Sequence, residues 1–415
     1  MKKSVLAVAI AAAAFAASAA SAAQVYDKDG TTLAVGGQIE FMAGNAGNTY
    51  FGNKSQDATT RDRARLTMAG RTQLTNGIAA YAYNEWQIDH KGTSQENQEV
   101  LARQQYLGVD FGKFGKVQVG RYVDPFEYAS NLVDVLDEVG VYGGFDERNS
   151  GHISYMWSGY GFDAGISYQM AVDSYRADEF GGSFDVDSGF SIYAGYTSPA
   201  VVFGPISVRA AYLYLNGQDN KHEGKASKSS KTLYGEYDED SGLLETVNMS
   251  GYLDNAKSID GSLAWGTNGK GLYLATNYNY SKLTFVDSDV ISNIDGALGN
   301  GNVEWKAKAW ETVVTYGFEN GIRLGASYHY IKHEATVGGE EGKASGDTKF
   351  VQLIADYNVT PNFKVWAEGL IDAGSDDYFA KITSATDGFT DDNGKFVNTC
   401  KDGHNSIMFG ARYVF

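Results

Sequence analysis

The sequence is dominated by runs of about ten residues in which apolar and polar side chains alternate. In the run 349–359, for example, Val351, Leu353 and Ala355 share one face, and Gln352 and Asp356 share the other. A period of two residues is typical of β-strands that have one apolar and one wet face. Asn-Gly pairs such as 76–77 and 320–321 separate these runs and indicate tight hairpins. The pattern therefore predicts an all-β, antiparallel chain.

Sixteen such runs follow one another, and short turns alternate with long polar connections. One end of the predicted sheet therefore has short turns, and the other end has long loops. The section 218–255 is charged and irregular, and we interpret it as a loop. The predicted strands cover 33–43, 61–74, 78–89, 101–111, 116–123, 148–157, 161–169, 189–197, 206–215, 257–265, 271–282, 306–318, 322–332, 349–359, 363–373 and 405–415.

The two faces of these strands need two different solvents. Arg61, Arg63 and Arg65 share one face of their strand, while Leu66 and Met68 lie on the other. A barrel that is closed in lipid and has a wet interior gives each face a suitable environment. A charge on the lipid face at mid-membrane would cost roughly 2–4 kcal/mol, which explains why the basic residues share one parity. We therefore predict a 16-stranded antiparallel transmembrane β-barrel whose lumen stays aqueous.

The N-terminus has the pattern of a cleaved export signal. Lys2 and Lys3 form a basic region, an apolar stretch follows, and Ala20-Ser21-Ala22 is a small-residue cleavage site. We predict that residues 1–22 are removed, and that residues 23–415 form a single barrel domain. No later stretch qualifies as a membrane helix, because the best candidate, 188–208, contains Pro199 and Pro205.

The charge and cysteine content exclude several functional classes. With 51 acidic against 34 basic residues, the chain has a net charge of −17, which argues against a nucleic-acid partner. The single cysteine, Cys400, cannot form an internal disulfide. It lies in a polar stretch that reads as an exposed loop.

A long acidic segment interrupts the alternation between Gly120 and Arg148. It contains seven Asp and Glu residues and no Lys or Arg between Arg121 and Arg148. It also contains many aromatic and aliphatic residues, too many for a disordered linker. Loops of this length in a compact fold are usually functional. We predict that residues 124–147 fold into the barrel and narrow it.

Three stretches resemble the trimeric general porins of Gram-negative outer membranes. They are AQVYDKDGTTLAVGGQIEF at the mature start, FENGIRLGASYHY, and the ending MFGARYVF. The resemblance covers nearly the whole mature chain. It implies a homotrimer with short periplasmic turns, long outer loops and an inward-folded third loop. It also implies lipopolysaccharide and lipid around the barrel, and Tyr413 and Phe415 as a signal to the barrel-assembly machinery. The function implied is passive diffusion of small hydrophilic solutes and ions, with no cofactor.

The resemblance also implies a charged constriction. Arg65, Arg121 and Arg148, with Arg63 beside them, match the positions of wall arginines, and the opposing loop carboxylates would be Asp134, Asp137 and Glu138. Gln38 and Glu40 would lie on the lumen face. Several relatives have a lysine where this chain has Gln38, and the loop lacks their PEFGG run. The acidic balance and Gln38 lead to the hypothesis of a weak cation preference. Arg61 we interpret as a solvated lumen residue.

Three alternatives to a general porin remain open. A barrel hydrolase would need a Ser or Asp with a His at one rim, and His152 has no such partner visible in the sequence. His329 and His333 share a lumen face but do not form a helical zinc motif, so we predict no metal site. A solute-specific channel would need an aromatic path, for which Tyr81, Tyr83 and Trp366 are candidates. Adhesion through the long loops is compatible with a porin.

Overall fold

The structure is a computed structural model. It describes residues 22–45, 59–91, 98–136, 148–177, 182–218, 229–238, 243–292, 296–337, 342–373, 389–390, 396–397 and 406–415. The predicted signal peptide lies outside the described residues except for Ala22.

Sixteen antiparallel strands form one closed barrel, as the alternation predicted. Fifteen of the predicted strands lie wholly or mostly within an observed strand, and the sixth, predicted from residue 148, begins at His152. The strands are β1 Thr31–Gly44, β2 Thr59–Thr75, β3 Ile78–Lys91, β4 Gln98–Asp110, β5 Lys116–Arg121, β6 His152–Gly159, β7 Phe162–Gln169, β8 Gly182–Val201, β9 Gly204–Gly217, β10 Leu243–Thr267, β11 Lys270–Ser292, β12 Gly296–Gly317, β13 Ile322–Val337, β14 Gly342–Thr360, β15 Phe363–Asp372 and β16 Ser406–Val414.

Further short strands lie beside or outside this ring. Ala23–Lys28 pairs with β1, Val172–Ala177 with β8, and Ser229–Asp238 with β10. Phe389–Thr390 pairs with Phe396–Val397 in a separate two-stranded sheet. Short 3₁₀ helices occur at Gly112–Phe114, Pro125–Tyr128 and Ser130–Leu132.

The two ends of the chain close the barrel. β1 pairs with β16, with Ile39 opposite Tyr413, and β15 pairs with the other edge of β16. Beyond the strand end, Gly37 N–H donates to Phe415 O at 2.8 Å, and Phe415 N–H donates back to Gly37 O at 2.9 Å. Because an open sheet edge cannot be satisfied by lipid, this closure is what permits the sheet to span a membrane.

The outer face is apolar and exposed, which fits a lipid environment. Ile259, Leu263, Ile166 and Leu324 are about half exposed, whereas Asp260, between two outward neighbours, is 1% exposed. Tight connections such as 202–203 and 268–269 join strands at one end of the barrel. Among the described residues, no helix is long and apolar enough to cross a membrane.

The interior is not polar throughout, which corrects the expectation of a wholly wet lumen. Leu213, Leu215, Leu283 and Trp305 are buried in one cluster that also includes Phe126 of the inward segment. Alternation does not reveal this cluster, because Tyr212 and Tyr214 on the other face make the run continuously apolar. The cluster gives the inward segment an apolar surface to pack against.

The section 218–255 is not the loop that its charge pattern predicted. Its backbone forms Ser229–Asp238 and the first half of β10, which pair with each other antiparallel. Strand pairing does not require apolar alternation where no lipid touches the strand. For the same reason β10, β11 and β12, which have 25, 23 and 22 residues, are much longer than predicted.

Gly37 tests the closure of the barrel. A Cβ at Gly37 would lie 2.3 Å from the Arg65 carbonyl oxygen and 2.9 Å from the Phe415 ring. We expect Gly37→Ala to lower the free energy of unfolding by about 1–3 kcal/mol, because the backbone contact cannot be relieved by a rotamer change. Urea unfolding in detergent micelles measures this effect. Gly70→Ala is the matched control, since its Cβ would meet nothing within 4 Å; equal losses in the two variants would contradict the prediction.

Candidate pore constriction

The segment after β5 turns inward through two short 3₁₀ helices. Asp124 caps the first, because its Oδ1 accepts a hydrogen bond from the Phe126 N–H at 2.7 Å. Pro125 follows at the first helical position, where its fixed φ fits and no N–H is needed. Phe126 then enters the apolar cluster and is 2% exposed. The inward-folded third loop is therefore present over the described residues 122–136, which we call the inward loop.

Asp124 also ties the start of the inward loop to the wall. Its Oδ1 accepts from Ser191 Oγ at 2.6 Å on β8, and its Oδ2 from Ser167 Oγ at 3.3 Å on β7. His152 Nδ1 on β6 lies 3.5 Å from Oδ2. The Asp124 carboxylate is 5% exposed, so these contacts replace its hydration.

Four wall side chains donate to backbone carbonyl oxygens of the inward loop. Each donor lies on a different strand, so the loop follows the wall from β9 to β13. The bonds are Arg209 Nη1 to Tyr128 O at 3.0 Å, Ser262 Oγ to Ala129 O at 2.5 Å, Tyr273 Oη to Leu132 O at 2.6 Å and Arg323 Nη1 to Val135 O at 2.6 Å. We call these residues the wall donors. They satisfy carbonyl groups that would otherwise be buried without a partner.

Tyr128 adds a side-chain anchor to the same segment. The Arg209 guanidinium lies 3.9 Å from the centre of the Tyr128 ring, and the Tyr128 hydroxyl donates to Asp163 Oδ2 at 2.5 Å. The Tyr193 ring is 4.6 Å away, centre to centre. A cation–π contact shielded from water contributes more than an exposed one. The loop is therefore held by both its backbone and its side chains.

A cluster of arginines and carboxylates occupies the wall formed by β16, β1, β2, β3 and β4. Glu40 is 1% exposed and accepts from Arg63 Nε and Arg412 Nε, each at 2.8 Å. Arg61 Nε donates to Asp89 Oδ1 at 2.7 Å, and Arg103 Nε donates to Glu85 Oε1 at 2.7 Å. This arginine wall therefore consists of paired charges rather than of isolated cations.

Arg65 differs from its neighbours in having a neutral hydrogen-bond partner. Its Nε donates to Gln87 Oε1 at 2.8 Å, and it lies opposite Gln38 in the β1–β2 register. The charges of Arg63, Arg103 and Arg148 all act on it. Of the predicted wall residues, the structure thus brings Arg63, Arg65 and Arg148 together, with Gln38 and Glu40 beside them.

Arg121 has a different setting. It pairs with Gln105 in the β4–β5 register, and its Nε donates to the Ala102 backbone oxygen at 3.0 Å. Its charge acts on His152, at the start of β6. Its role in the constriction stays a prediction.

Asp134 lies beside an open cavity of about 360 Å³ at the tight-turn end of the barrel. The basic residues that line this cavity are Arg323 and Lys364, which the sequence did not lead us to assign to the constriction. Arg323 Nε donates to Asp356 Oδ2 at 2.7 Å, and Lys364 Nζ lies 3.4 Å from the same oxygen. Asp137 and Glu138 lie outside the described residues.

Arg103, Arg209 and Arg412 also lie on the wall, and the sequence did not predict them there. Arg412 lies inside the motif MFGARYVF, directly before Tyr413. Because successive side chains of a strand point to opposite faces, Arg412 must face the lumen if Tyr413 faces the lipid. Tyr413 is 50% and Phe415 41% exposed. The pairing of Arg412 with Glu40 joins residues that are 372 positions apart and becomes visible only when the barrel is closed.

Comparisons with known proteins agree with this geometry. The model of the Gram-negative porin family matches residues 7–369. Outer membrane porin C of Salmonella typhimurium is 25% identical over 362 residues, which are 84% of this chain and 86% of the relative. The solved structure of Salmonella typhi OmpF with daunomycin has a TM-score of 0.63 and 18% identity, and covers 95% of this chain and 100% of its own. A Vibrio cholerae OmpT structure, solved in its trimer form, has a TM-score of 0.51 and 16% identity over 93% of this chain and 100% of its own.

The fold and the charged lumen define an outer-membrane channel of the porin class. Since the family model covers most of its length, the chain belongs to the Gram-negative porin family. The tight turns are therefore periplasmic, and the long loops face the exterior.

Tyr273 tests the attachment of the inward loop. In Tyr273→Phe the Leu132 carbonyl loses its donor, and we expect the loop to open more easily by about 1–3 kcal/mol. Hydrogen exchange at the amides of Val133 and Val135 should accelerate accordingly. Tyr278→Phe is the matched control, because Tyr278 lies on the same strand with its side chain 51% exposed. Unchanged exchange in Tyr273→Phe would contradict the role of this bond.

Proposed function

We propose that this porin is a general diffusion channel for small hydrophilic solutes and ions. The observation that carries the proposal is the inward loop, which the wall donors hold inside the barrel at four successive points. A loop fixed in this way narrows the lumen without closing it. The mature chain would begin at Ala23, and the described loop would continue to residue 147.

The constriction would be formed by charges of opposite sign. Arg63, Arg65, Arg121 and Arg148 would supply the basic side, and Asp134, Asp137 and Glu138 the acidic side. Two unit charges about 8 Å apart in water interact by only about 0.5 kcal/mol, so the field orients a solute without trapping it. This weak interaction suits diffusion better than specific binding.

We propose a weak preference for cations. The proposed preference rests on the net charge of −17 and on the acidic loop. The arginine wall cannot be its source, because the described wall contains more basic than acidic groups. The loop carboxylates must therefore outweigh the wall. The Debye length is about 8 Å at physiological salt, so the preference should fade as the salt concentration rises.

We also propose that the protein is a homotrimer assembled by the barrel-assembly machinery, with Tyr413 and Phe415 as the assembly signal. The trimeric form of the Vibrio cholerae relative supports the first part. The backbone bonds between Phe415 and Gly37 support the second, since the terminal residue completes the last strand pair.

Two of the alternatives can be weighed against the structure. The aromatic candidates for a solute-specific path, Tyr81, Tyr83 and Trp366, are at most 5% exposed and do not offer a continuous open track. Outer membrane porin C of Salmonella typhimurium, which is similar to this chain in sequence, is named as a porin. That name gives no support to the hydrolase alternative.

Planar-bilayer recording with a salt gradient tests the proposal. We expect conductance in triplet steps and a mildly cation-selective reversal potential. Neutralising the loop with D134N/D137N/E138Q should lower the cation-to-anion permeability ratio by about twofold for each charge that faces the pore. Arg65→Gln should raise the ratio, and it breaks no ion pair because the partner of Arg65 is Gln87.

The control removes three carboxylates that are exposed at the periplasmic end, in D27N/D29N/E319Q. We expect this variant to keep the wild-type ratio. Equal shifts in both triple variants would mean that the total charge, and not a constriction, sets selectivity. A protein that does not conduct would refute the channel, and block by one solute at low concentration would favour a specific channel.

A further inference from the structure

The open cavity of about 360 Å³ lies where the end of the inward loop meets three tight turns. The loop contributes residues 134–136, and the turns are those that join β10 to β11, β12 to β13 and β14 to β15. Pockets that hold small molecules begin at about 300 Å³. The cavity is therefore large enough for a solute of the size of an amino acid, but not for a large one.

Asp134 brings an accessible negative charge to this cavity. Leu132 and Val133, directly before it, are buried in an apolar cluster that includes Tyr273 of the wall. Val135, directly after it, accepts a hydrogen bond from a wall arginine. Asp134 itself is exposed and lines the cavity. Its carboxylate is thus held at the cavity by anchored neighbours on both sides.

Arg323 is the fixed basic residue of the cavity wall. Its Nε donates to Asp356 Oδ2 at 2.7 Å, and its Nη1 donates to Val135 O at 2.6 Å and to Asn268 Oδ1 at 3.1 Å. Its side chain is only 9% exposed. Arg323 therefore builds the cavity, because it joins the loop, a tight turn and β14, and its guanidinium is committed to these partners.

Lys364 is the accessible basic residue of the cavity. Its Nζ lies 3.4 Å from Asp356 Oδ2, and its side chain is 21% exposed. The same Asp356 oxygen accepts the shorter bond from Arg323, so Lys364 makes the weaker of the two contacts. An ammonium group on a flexible stem can turn from this carboxylate to the carboxylate of a solute.

Asn268 adds a neutral donor beside these charges. Its Oδ1 accepts from Arg323 Nη1 and from Thr315 Oγ1, each at 3.1 Å. Both lone pairs of that oxygen are used, which fixes the orientation of the amide and leaves its Nδ2 to donate. Asn358, which is exposed near the end of β14, supplies a second amide to the lining.

The balance of charges in the lining indicates which kind of solute fits. The lining contains two acidic residues, Asp134 and Asp356, and two basic residues, Arg323 and Lys364. A singly charged solute would meet groups of its own sign, whereas a zwitterion finds a partner for each of its charges. The lining residues, all of which lie in the described part of the chain, include no aromatic ring on which a sugar could stack.

We propose that the cavity is a weak binding site for small zwitterions of the α-amino-acid type. Lys364 and the Asn268 amide would hold the carboxylate, and Asp134 would hold the ammonium group. A small solute in an open, polar cavity binds with millimolar affinity and exchanges quickly, so the site is compatible with a diffusion channel. The inference rests on the proposed function in one respect, which is that the solute reaches the cavity through the lumen.

The first test compares three ligands that differ in charge and little in size. They are L-alanine, which is a zwitterion, L-alaninamide, a cation, and N-acetyl-L-alanine, an anion. Saturation-transfer NMR on the purified protein in detergent measures their affinities. We expect alanine to bind at least about fivefold more tightly than either analogue, since one ion contact in water contributes about that factor. Equal affinities of the three ligands, or no binding of alanine, would overturn the proposal.

Two variants should shift the preference in opposite directions. Lys364→Gln removes the partner of the carboxylate, so we expect alanine to bind about fivefold more weakly and alaninamide to bind no more weakly than to wild type. Asp134→Asn removes the partner of the ammonium group, so alanine should again weaken and N-acetylalanine should not. The matched control is Lys113→Gln, which removes an exposed lysine of the turn between β4 and β5 that does not line the cavity.

The pattern across the ligands separates recognition from damage to the cavity. Lys113→Gln should keep the wild-type affinity for all three ligands. A loss of the same size for all three ligands in Lys364→Gln and Asp134→Asn would mean that the variants distort the cavity, and it would overturn the assigned roles. Unchanged alanine binding in both variants would overturn them as well.

Binding in detergent does not require conduction, so the inference and the proposed function can fail separately. Planar-bilayer conductance in potassium chloride without alanine tests the channel on the same preparation. A protein that conducts but does not prefer alanine would overturn the inference alone. A protein that prefers alanine, with the expected shifts in the variants, but does not conduct would support the inference and refute the channel.

Discussion

The backbone of a chain in lipid must find all of its hydrogen-bond partners within the protein. Closure of β1 onto β16, completed by the bonds between Gly37 and Phe415, meets this requirement for the sheet. The same requirement applies to the inward loop, whose carbonyl groups are buried inside the barrel. Donors such as Tyr273 and Arg323 meet it there, so the loop is fixed by the wall that it crosses. Barrel closure and loop position thus have one physical cause.

Closure of the barrel also determines whether a side chain faces the lumen or the lipid. The inner face of β1, β2 and β3 faces the lumen, where Glu40 and Asp89 can be paired with arginines. The outer face of β10–β13 passes from apolar to aromatic to basic along the membrane normal. The arginine wall is therefore a product of the same alternation that places apolar side chains on the lipid face. The arginine wall would act on the solutes that pass through the lumen.

The sequence predicts the strands well because lipid imposes a strict alternation wherever it touches the chain. It fails where no lipid imposes alternation: 218–255 forms a hairpin although its pattern is irregular, and Leu213 and Leu215 lie in the apolar cluster with Phe126 of the inward loop. Contacts that form only when the last strand pairs with the first, such as that of Arg412 with Glu40, also leave no local pattern in the sequence. The predicted wall residues Arg63 and Arg65 were found from a motif, whereas the wall donors needed the course of the loop. Asp134 lines the same cavity as Arg323 and Lys364. The sequence could not predict this position, because Asp134 lies in a loop, where side chains do not alternate between two faces as they do in a strand.

If the inward loop, held by the wall, narrows the channel, its removal must widen the pore. The most direct measurement is the single-channel conductance of a variant in which residues 126–146 are replaced by a short glycine-serine linker. Resistance of the folded protein to detergent at room temperature would establish that the barrel is intact. We expect a larger conductance and a reversal potential closer to zero than in wild type. An intact variant with wild-type conductance and selectivity would contradict it.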